Sequence, residues 1–444
     1  MTTTAARPVT DAATRERLRA LIREIDTRSP RPAPPPAFVP RVPGAAEVYP
    51  HEDMRPVTPR GLPVPLESMP GARLRVTASG TCVVREVRRP LAAPAHLVAT
   101  GEAFDLGELP RMVGAPLVRL APDAELEDAA LEDLLFLDIE TTGLGGSGAM
   151  VFLVTTGQLI ADGFRIRQYL APSPAEEGDL LTQLATDSGV RETRPVLATY
   201  NGRVFDAPML DQRSTMHRMR GGYEALTQLD VLSPMRHGFR TTLPSCRLSA
   251  VEYDLLQVTR PPDEVGGAEI PGWYFRFVRG GDHRYLEPLI THNAIDVLSL
   301  AALTARLAAV VAGTVEATGV EQLAAGRLWL RAGDFSRAER HLSAAIDALE
   351  DGWVYEQALL TLALLHKRAG RRELAAPLWA RVVERPQGPA LPTLIELAKY
   401  HEHATRDYAA ALSVVERAIA SVGCDAALLH RRSRLLRRLG RDDR

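Results

Sequence analysis

The run Phe136-Leu137-Asp138-Ile139-Glu140-Thr141-Thr142-Gly143-Leu144 sets two carboxylates two residues apart in an otherwise apolar stretch that breaks into a Gly-rich segment. Apolar runs of this length predict a buried strand, and residues two apart on a strand point the same way, so Asp138 and Glu140 share a face. The apolar residues ahead of them argue against the solvated end of an edge strand. Two such carboxylates can share one divalent cation or bridge two.

Two further segments carry matching chemistry. In Thr199-Tyr200-Asn201-Gly202-Arg203-Val204-Phe205-Asp206-Ala207-Pro208-Met209-Leu210, a short apolar strand from Pro195 to Ala198 leads through a turn to Asp206. Asp followed closely by Pro is also a common helix start, so Asp206 can cap a helix as well as bind a cation. In Thr291-His292-Asn293-Ala294-Ile295-Asp296-Val297-Leu298-Ser299-Leu300 the spacing is helical, which puts His292 and Asp296 on one face. Asp296 is flanked by Ile295, Val297 and Leu298, and a carboxylate buried there needs a cation. Four carboxylates from three segments, with a histidine beside the last, suit two-metal phosphodiester cleavage, with the cations roughly 4 Å apart.

The order D-x-E, then Asn with Phe-Asp-x-Pro-x-Leu, then His-x-x-x-Asp resembles the three motifs of the DEDD exonuclease superfamily, whose fold is ribonuclease-H-like. The chain also resembles the bacterial YprB-type family, through the motifs above and Ile270-Pro271-Gly272-Trp273-Tyr274. The resemblance spans about Gly80 to Leu307. It implies a 3′–5′ exonuclease acting on DNA or RNA, with Asp138, Glu140, Asp206 and Asp296 as ligands of two Mg²⁺ or Mn²⁺ ions. It also implies substrate contacts from Thr141, Gly143, Leu144, Asn201 and Phe205. Members that use histidine usually place it five residues before the last aspartate, whereas the four-residue spacing of His292 is the one at which tyrosine is usual. A neutral imidazole can still accept a proton from the attacking water, so His292 is a candidate catalytic base as well as a candidate structural histidine. The alternative is a catalytically weak nucleic-acid-binding scaffold that recruits a protein partner.

At 444 residues the chain calls for two or three domains. A net charge of −2 gives no bulk attraction to nucleic acid, so phosphate contacts require a local patch. Nearly all positive charge is arginine, lysine occurring only at Lys367 and Lys399, and Arg203, Arg236, Arg240 and Arg247 are candidates for phosphate contacts. Cys82, Cys246 and Cys424 lack the spacing of a disulfide framework or a zinc site. The sequence shows neither a signal-peptide core nor a run approaching the ~20 apolar residues of a membrane span, so a cytoplasmic protein without a membrane partner is expected.

Leu18, Leu21, Ile22 and Ile25 predict one amphipathic helix, and prolines recur from Pro30 to Pro65 as in an extended linker. Residues 1–70 thus form an N-terminal helix and linker. Alternation from Arg73 to about Leu120 predicts strands, a small β extension of an α/β ribonuclease-H-like domain over 71–315. That domain is expected to hold a mixed five-stranded sheet flanked by helices: three antiparallel strands, then alternating helix and strand, closed by the helix bearing His292. Trp273, Tyr274, Phe275 and Phe277 could stack on bases but fit core packing better. Over 320–444, Ala338, Ala375 and Ala411 recur at intervals of 37 and 36 residues. That period predicts an all-α domain of about three tetratricopeptide-like repeats, available to a protein partner and closed by a charged helix from Arg431 to Arg441.

Overall fold

The strand that carries Asp138 and Glu140 lies inside a sheet, with a partner on each edge. The computed structural model describes residues 62–77, 80–89, 95–96, 103–104, 114–121, 126, 131–143, 148–258, 260, 264–385, 391–423 and 425–441. All fall in one compact unit, Tyr49–Arg444. The expected N-terminal helix, most of the Pro-rich tract, Leu144 and Cys424 lie outside the described residues.

The strands are β1 (Ala72–Val76), β2 (Thr81–Arg89), β3 (Ala95–His96), β4 (Ala103–Phe104), β5 (Leu134–Thr141), β6 (Val151–Ile160), β7 (Gly163–Leu170), β8 (Val196–Thr199) and β9 (Gln228–Asp230). Seven form one sheet in the order β1-β2-β7-β6-β5-β8-β9, while β3 pairs only with β4. The antiparallel meander β5-β6-β7 and the parallel strands β8 and β9 are the five expected strands. Strands β1 and β2 add antiparallel to the edge at β7 and extend the sheet to seven. Between β4 and β5, Gly114–Leu120 is a helix, α1, and not the strand its surroundings predict. Its buried residues Leu117 and Leu120 are three apart, the spacing of one helical face.

Helices α2 (Glu177–Ser188), α3 (Asp206–Met216), α4 (Leu232–Phe239), α5 (Leu248–Val251) and α6 (Ile270–Gly280) connect and cover these strands. In α6, Trp273, Tyr274 and Phe277 are buried, and Tyr274 stacks on Phe152 of β6 with ring centroids 4.1 Å apart, so the aromatic cluster is core. Helix α7 (Glu287–Ala312) packs across β5 and β6. Gly157 of β6 makes that approach possible: a Cβ there would come within 2.6 Å of the Phe164 ring and 2.7 Å of Val297 on α7.

Contrary to the expectation from sequence, the stretch His283–Ala312 is long and apolar enough to cross a membrane by length and composition. Its most apolar window is 83% buried inside the fold. A helix covered by the sheet on one side and by other helices on the other becomes apolar all round for the same reason as a membrane span.

From Gly319 onward the chain is helical: α8 (Gly319–Arg331), α9 (Phe335–Ala348), α10 (Trp353–Arg368), α11 (Arg372–Val383), α12 (Leu391–Tyr400), α13 (Tyr408–Val422) and α14 (Ala426–Arg438). Three helix–turn–helix pairs turn at equivalent points, where Gly333, Gly370 and Arg406 have positive φ, and Ala338, Ala375 and Ala411 are fully buried. Asp334 and Asp407 cap α9 and α13 by accepting from the backbone N–H of Arg337 and Ala410. In α14, Arg431 and Arg434 donate to the buried Glu402. One hydrophobic core runs from Phe136 on β5 through Leu300 on α7 and Leu323 on α8 to Leu435 on α14.

Replacing Gly157 by Ala should lower stability by about 1–3 kcal/mol in urea unfolding, because the added methyl would press on Phe164 and Val297, both fully buried. Gly272→Ala, where nothing lies within 4 Å, serves as the control and should not destabilise. Equal midpoints for the two variants would contradict the close contact between α7 and the sheet.

Candidate active site

Strands β5, β8 and β9 run parallel, and their carboxyl ends open on the same side, where open α/β sheets bind ligands. Phe136 packs in one core cluster with Ile295, Val297 and Leu298 of α7, while Leu135, Leu137 and Ile139 belong to the opposite cluster. Alternation therefore turns Asp138 and Glu140 toward α7. There Asn293 donates from Nδ2 to Asp138 Oδ2 and accepts at Oδ1 from Thr155 Oγ1. Thr155 in turn accepts from Gln168 Nε2 at 3.1 Å, and Arg85 Nη1 donates to Gln168 Oε1 at 2.8 Å. This buried chain of hydrogen bonds crosses β6, β7 and β2 and fixes the orientation of Asp138.

One turn around α7, Glu140, His292 and Asp296 each offer an oxygen or nitrogen that could hold a metal ion, the three atoms lying within 4.8 Å of one another. His292 Nε2 is 3.8 Å from Glu140 Oε1 and 3.4 Å from Asp296 Oδ2. Its Nδ1 is 2.8 Å from Glu264 Oε1, a carboxylate contact that requires a proton on Nδ1 and leaves Nε2 facing the acidic group. Asp206 is buried as the first residue of α3. It does not cap that helix; its carboxylate instead meets its own backbone N–H and the backbone of Ile139. Pairing of β5 with β8 ends at Phe136, so the β5 backbone beyond it is open to Asp206.

The electrostatics follow from this crowding. Burial, followed by the charges of Asp296, Asp206 and Glu140, holds the Asp138 carboxyl well above the usual range. Burial lifts Glu140 to about 8; the nearby His292 works against that lift, and Asp296 and Asp206 add to it. Asp206 rises to about 7, again by burial first, with Asp230 and Asp296 adding and its two backbone hydrogen bonds opposing. Burial would lower His292, but Asp296, the hydrogen bond to Glu264 and Glu140 together raise it to about 9. At neutral pH burial and mutual repulsion thus favour the protonated forms of Asp138 and Glu140, and oxygen donors with one imidazole match Mg²⁺ or Mn²⁺.

Part of the missing charge comes from Arg260. Its guanidinium is held by Glu252 through Nε and Nη2, both at 2.6 Å, and also donates to Glu264 and to Asp296 Oδ1. Glu252 is fully buried, so Arg260 is fixed from behind and presents its charge to the acidic group.

Residues 135–308 match the family described as RNase_H superfamily. The chain is 29% identical over 349 residues, 77% of its own length and 81% of the relative's, to "Uncharacterized protein YprB" of Bacillus subtilis (strain 168). Residues 135–308 of this chain form a domain similar to the ribonuclease H superfamily. In the ribonuclease H domain the three motifs read from sequence bring Asp138, Glu140, Asp206, His292 and Asp296 into one electrostatically linked group.

The expected substrate contacts are more varied. Thr141 Oγ1 donates to Gly143 O at 2.7 Å and shapes the turn after β5, while Leu144 lies outside the described residues. Asn201 takes a left-handed φ of 73°, its N–H donating to Asp230 Oδ1 at 2.9 Å, so it orders the loop ahead of Asp206. Phe205 is half-buried against the core.

Sequence reasoning missed Arg260, Glu252, Glu264, Asn293, Thr155, Gln168 and Asp230. Two carried a signal. Asp230 ends a parallel strand, as Asp138 does, and Asn293 sits inside a motif already singled out. Arg260 carried none, since it belongs to no motif and only the fold brings it to the site.

Arg260→Leu should destabilise the chelator-treated protein by roughly 3–5 kcal/mol in denaturant unfolding, because Glu252 would keep a buried charge without a partner. Adding Glu252→Gln should restore much of that loss. An unchanged midpoint for the single variant would show that Arg260 does not hold the acidic group together.

Proposed function

We propose that the protein is a metal-dependent nuclease, a 3′–5′ exonuclease on DNA or RNA, in which Asp138, Glu140, Asp206 and Asp296 hold two Mg²⁺ or Mn²⁺ ions. The ribonuclease H domain itself supports a nuclease-type hydrolase acting on nucleic acid. The observation that carries the finer reading is the convergence of four carboxylates and His292; the raised proton affinities of Asp138, Glu140, Asp206 and His292 support a site short of positive charge. Divalent ions held by these carboxylates would supply that charge and would acidify a water for attack on a phosphate.

The chain's own groups do the rest. Asn293 holds Asp138 in a single orientation. Glu264 holds the His292 ring so that Nε2 can accept or return a proton on the side facing Glu140 and Asp296. With a pKa near 9 beside bare carboxylates, His292 is an acid at neutral pH, and it can act as a base only after those carboxylates are neutralised.

The scaffold reading has one observation in its favour: Arg260 occupies an oxygen of Asp296, one of the four ligands. Release of nucleotides from labelled single strands in Mg²⁺, Mn²⁺ or chelator separates the two readings. We expect release that needs the cation and is abolished by Asp138→Ala with the fold retained; binding without release in either metal would favour the scaffold.

Glu264→Gln and Asn293→Ala, which weaken the support of His292 and Asp138, should each lower activity about 10–100-fold, as loss of a ligand's supporting partner does. Wild-type rates in both would count against the assigned roles.

A further inference from the structure

Beside the acidic site lies a groove of about 790 Å³ that starts at Tyr200 and Asn201, the turn ahead of Asp206, and is bounded by Arg236, Arg240, Cys246 and Arg247. Arg236 lies on α4 and Arg240 directly follows it, four residues on, so both guanidinium groups lie along one helical face. Arg247 comes from the facing segment, which the Tyr200 hydroxyl ties down by donating to Cys246 O. All three arginines are exposed, and none makes an ion pair among the described residues. Buried arginines elsewhere, such as Arg213 on Glu177 and Arg260 on Glu252, are taken up by carboxylates.

The groove wall is braced by the helical array. Gly238 of α4 packs so closely on α8 that a Cβ would lie 2.9 Å from the Ala324 Cβ. Arg327 Nη1 donates to Gly238 O at 2.9 Å, and Trp353 Nε1 donates to Thr241 O at 2.9 Å. The arginine-bearing helix is therefore held from its far side, and its basic face is left toward solvent.

We propose that this groove binds the sugar-phosphate backbone of the nucleic acid strand whose end occupies the acidic site, with Arg236, Arg240 and Arg247 each on a phosphate. The inference rests on the nuclease reading and extends it, giving a chain of net charge −2 the local cationic patch it needs near a negative centre. Arginine's planar fork suits phosphate oxygens, and the helical array becomes part of the substrate-binding apparatus by fixing the groove.

The test is binding of labelled single-stranded DNA, single-stranded RNA and duplex DNA to the full chain in chelator, so that nothing is cut. Wild type is compared with Arg236→Gln/Arg240→Gln/Arg247→Gln, with each single Arg→Gln change, and with the triple Arg→Lys variant. On a single strand the triple Gln variant should lose about 2 units of slope in log affinity against log salt, each phosphate contact contributing about 0.7. The Lys variant should keep most of that slope, and the DNA and RNA arms identify which sugar the groove accepts.

Unchanged affinity and slope in the Gln variants would overturn the proposal, as would a wild-type protein that binds none of the three probes. Mn²⁺ binding measured by calorimetry on the same proteins, after the chelator is removed and without nucleic acid, keeps the two ideas apart. Intact Mn²⁺ binding with no arginine dependence refutes the groove alone, whereas absent Mn²⁺ binding refutes the nuclease reading beneath it. If the triple variant misfolds, the single variants decide the question through their individual slopes.

Discussion

Mutual repulsion among buried carboxylates is the constraint around which the nuclease-like region is organised. Strand β5 turns Asp138 and Glu140 toward α7, the start of α3 brings Asp206 to the β5 backbone, and α7 contributes Asp296. Such a group is unfavourable unless cations or protons neutralise it. The surroundings reflect that need: Arg260 is anchored on buried Glu252 and reaches Asp296, His292 is pushed toward its charged form, and Asn293 gives Asp138 a donor. A structural ion network could use the same residue types. What sets this one apart is that its acids outnumber its bases at the open carboxyl ends of three parallel strands.

Helix α7 links this chemistry to the rest of the molecule. Its first turns carry His292, Asn293 and Asp296, and its later turns are buried between the sheet and the helical array. Because one core runs from β5 to α14, the array is packed into the same body as the site and braces α4 and its arginines. The apolar character of α7, which by composition would suit a bilayer, results from being covered on both sides.

Much of this was legible in the sequence because it depends on local periodicity. The spacing of Asp138 and Glu140 fixed their common face, the four-residue step from His292 to Asp296 fixed theirs, and the meander and the 36–37-residue period of buried alanines followed from pattern. What escaped was set by tertiary placement. Residues 114–120 lie in a stretch whose alternation suggested strand, but Leu117 and Leu120 meet the core at helical spacing. Arg260 and Glu264 belong to no motif, and nothing local distinguishes them from the chain's many other charged residues. Arg236, Arg240 and Arg247 were candidates among an abundance of arginine, and only the fold brings them to one groove beside Asn201.

The most direct test of the account is the stoichiometry of Mn²⁺ binding to the intact chain, followed by electron paramagnetic resonance. Two ions per chain, close enough for their spins to couple and both lost when Asp138 and Asp296 are replaced by Asn, is the predicted result. Absence of Mn²⁺ binding, or binding indifferent to those two carboxylates, would contradict it.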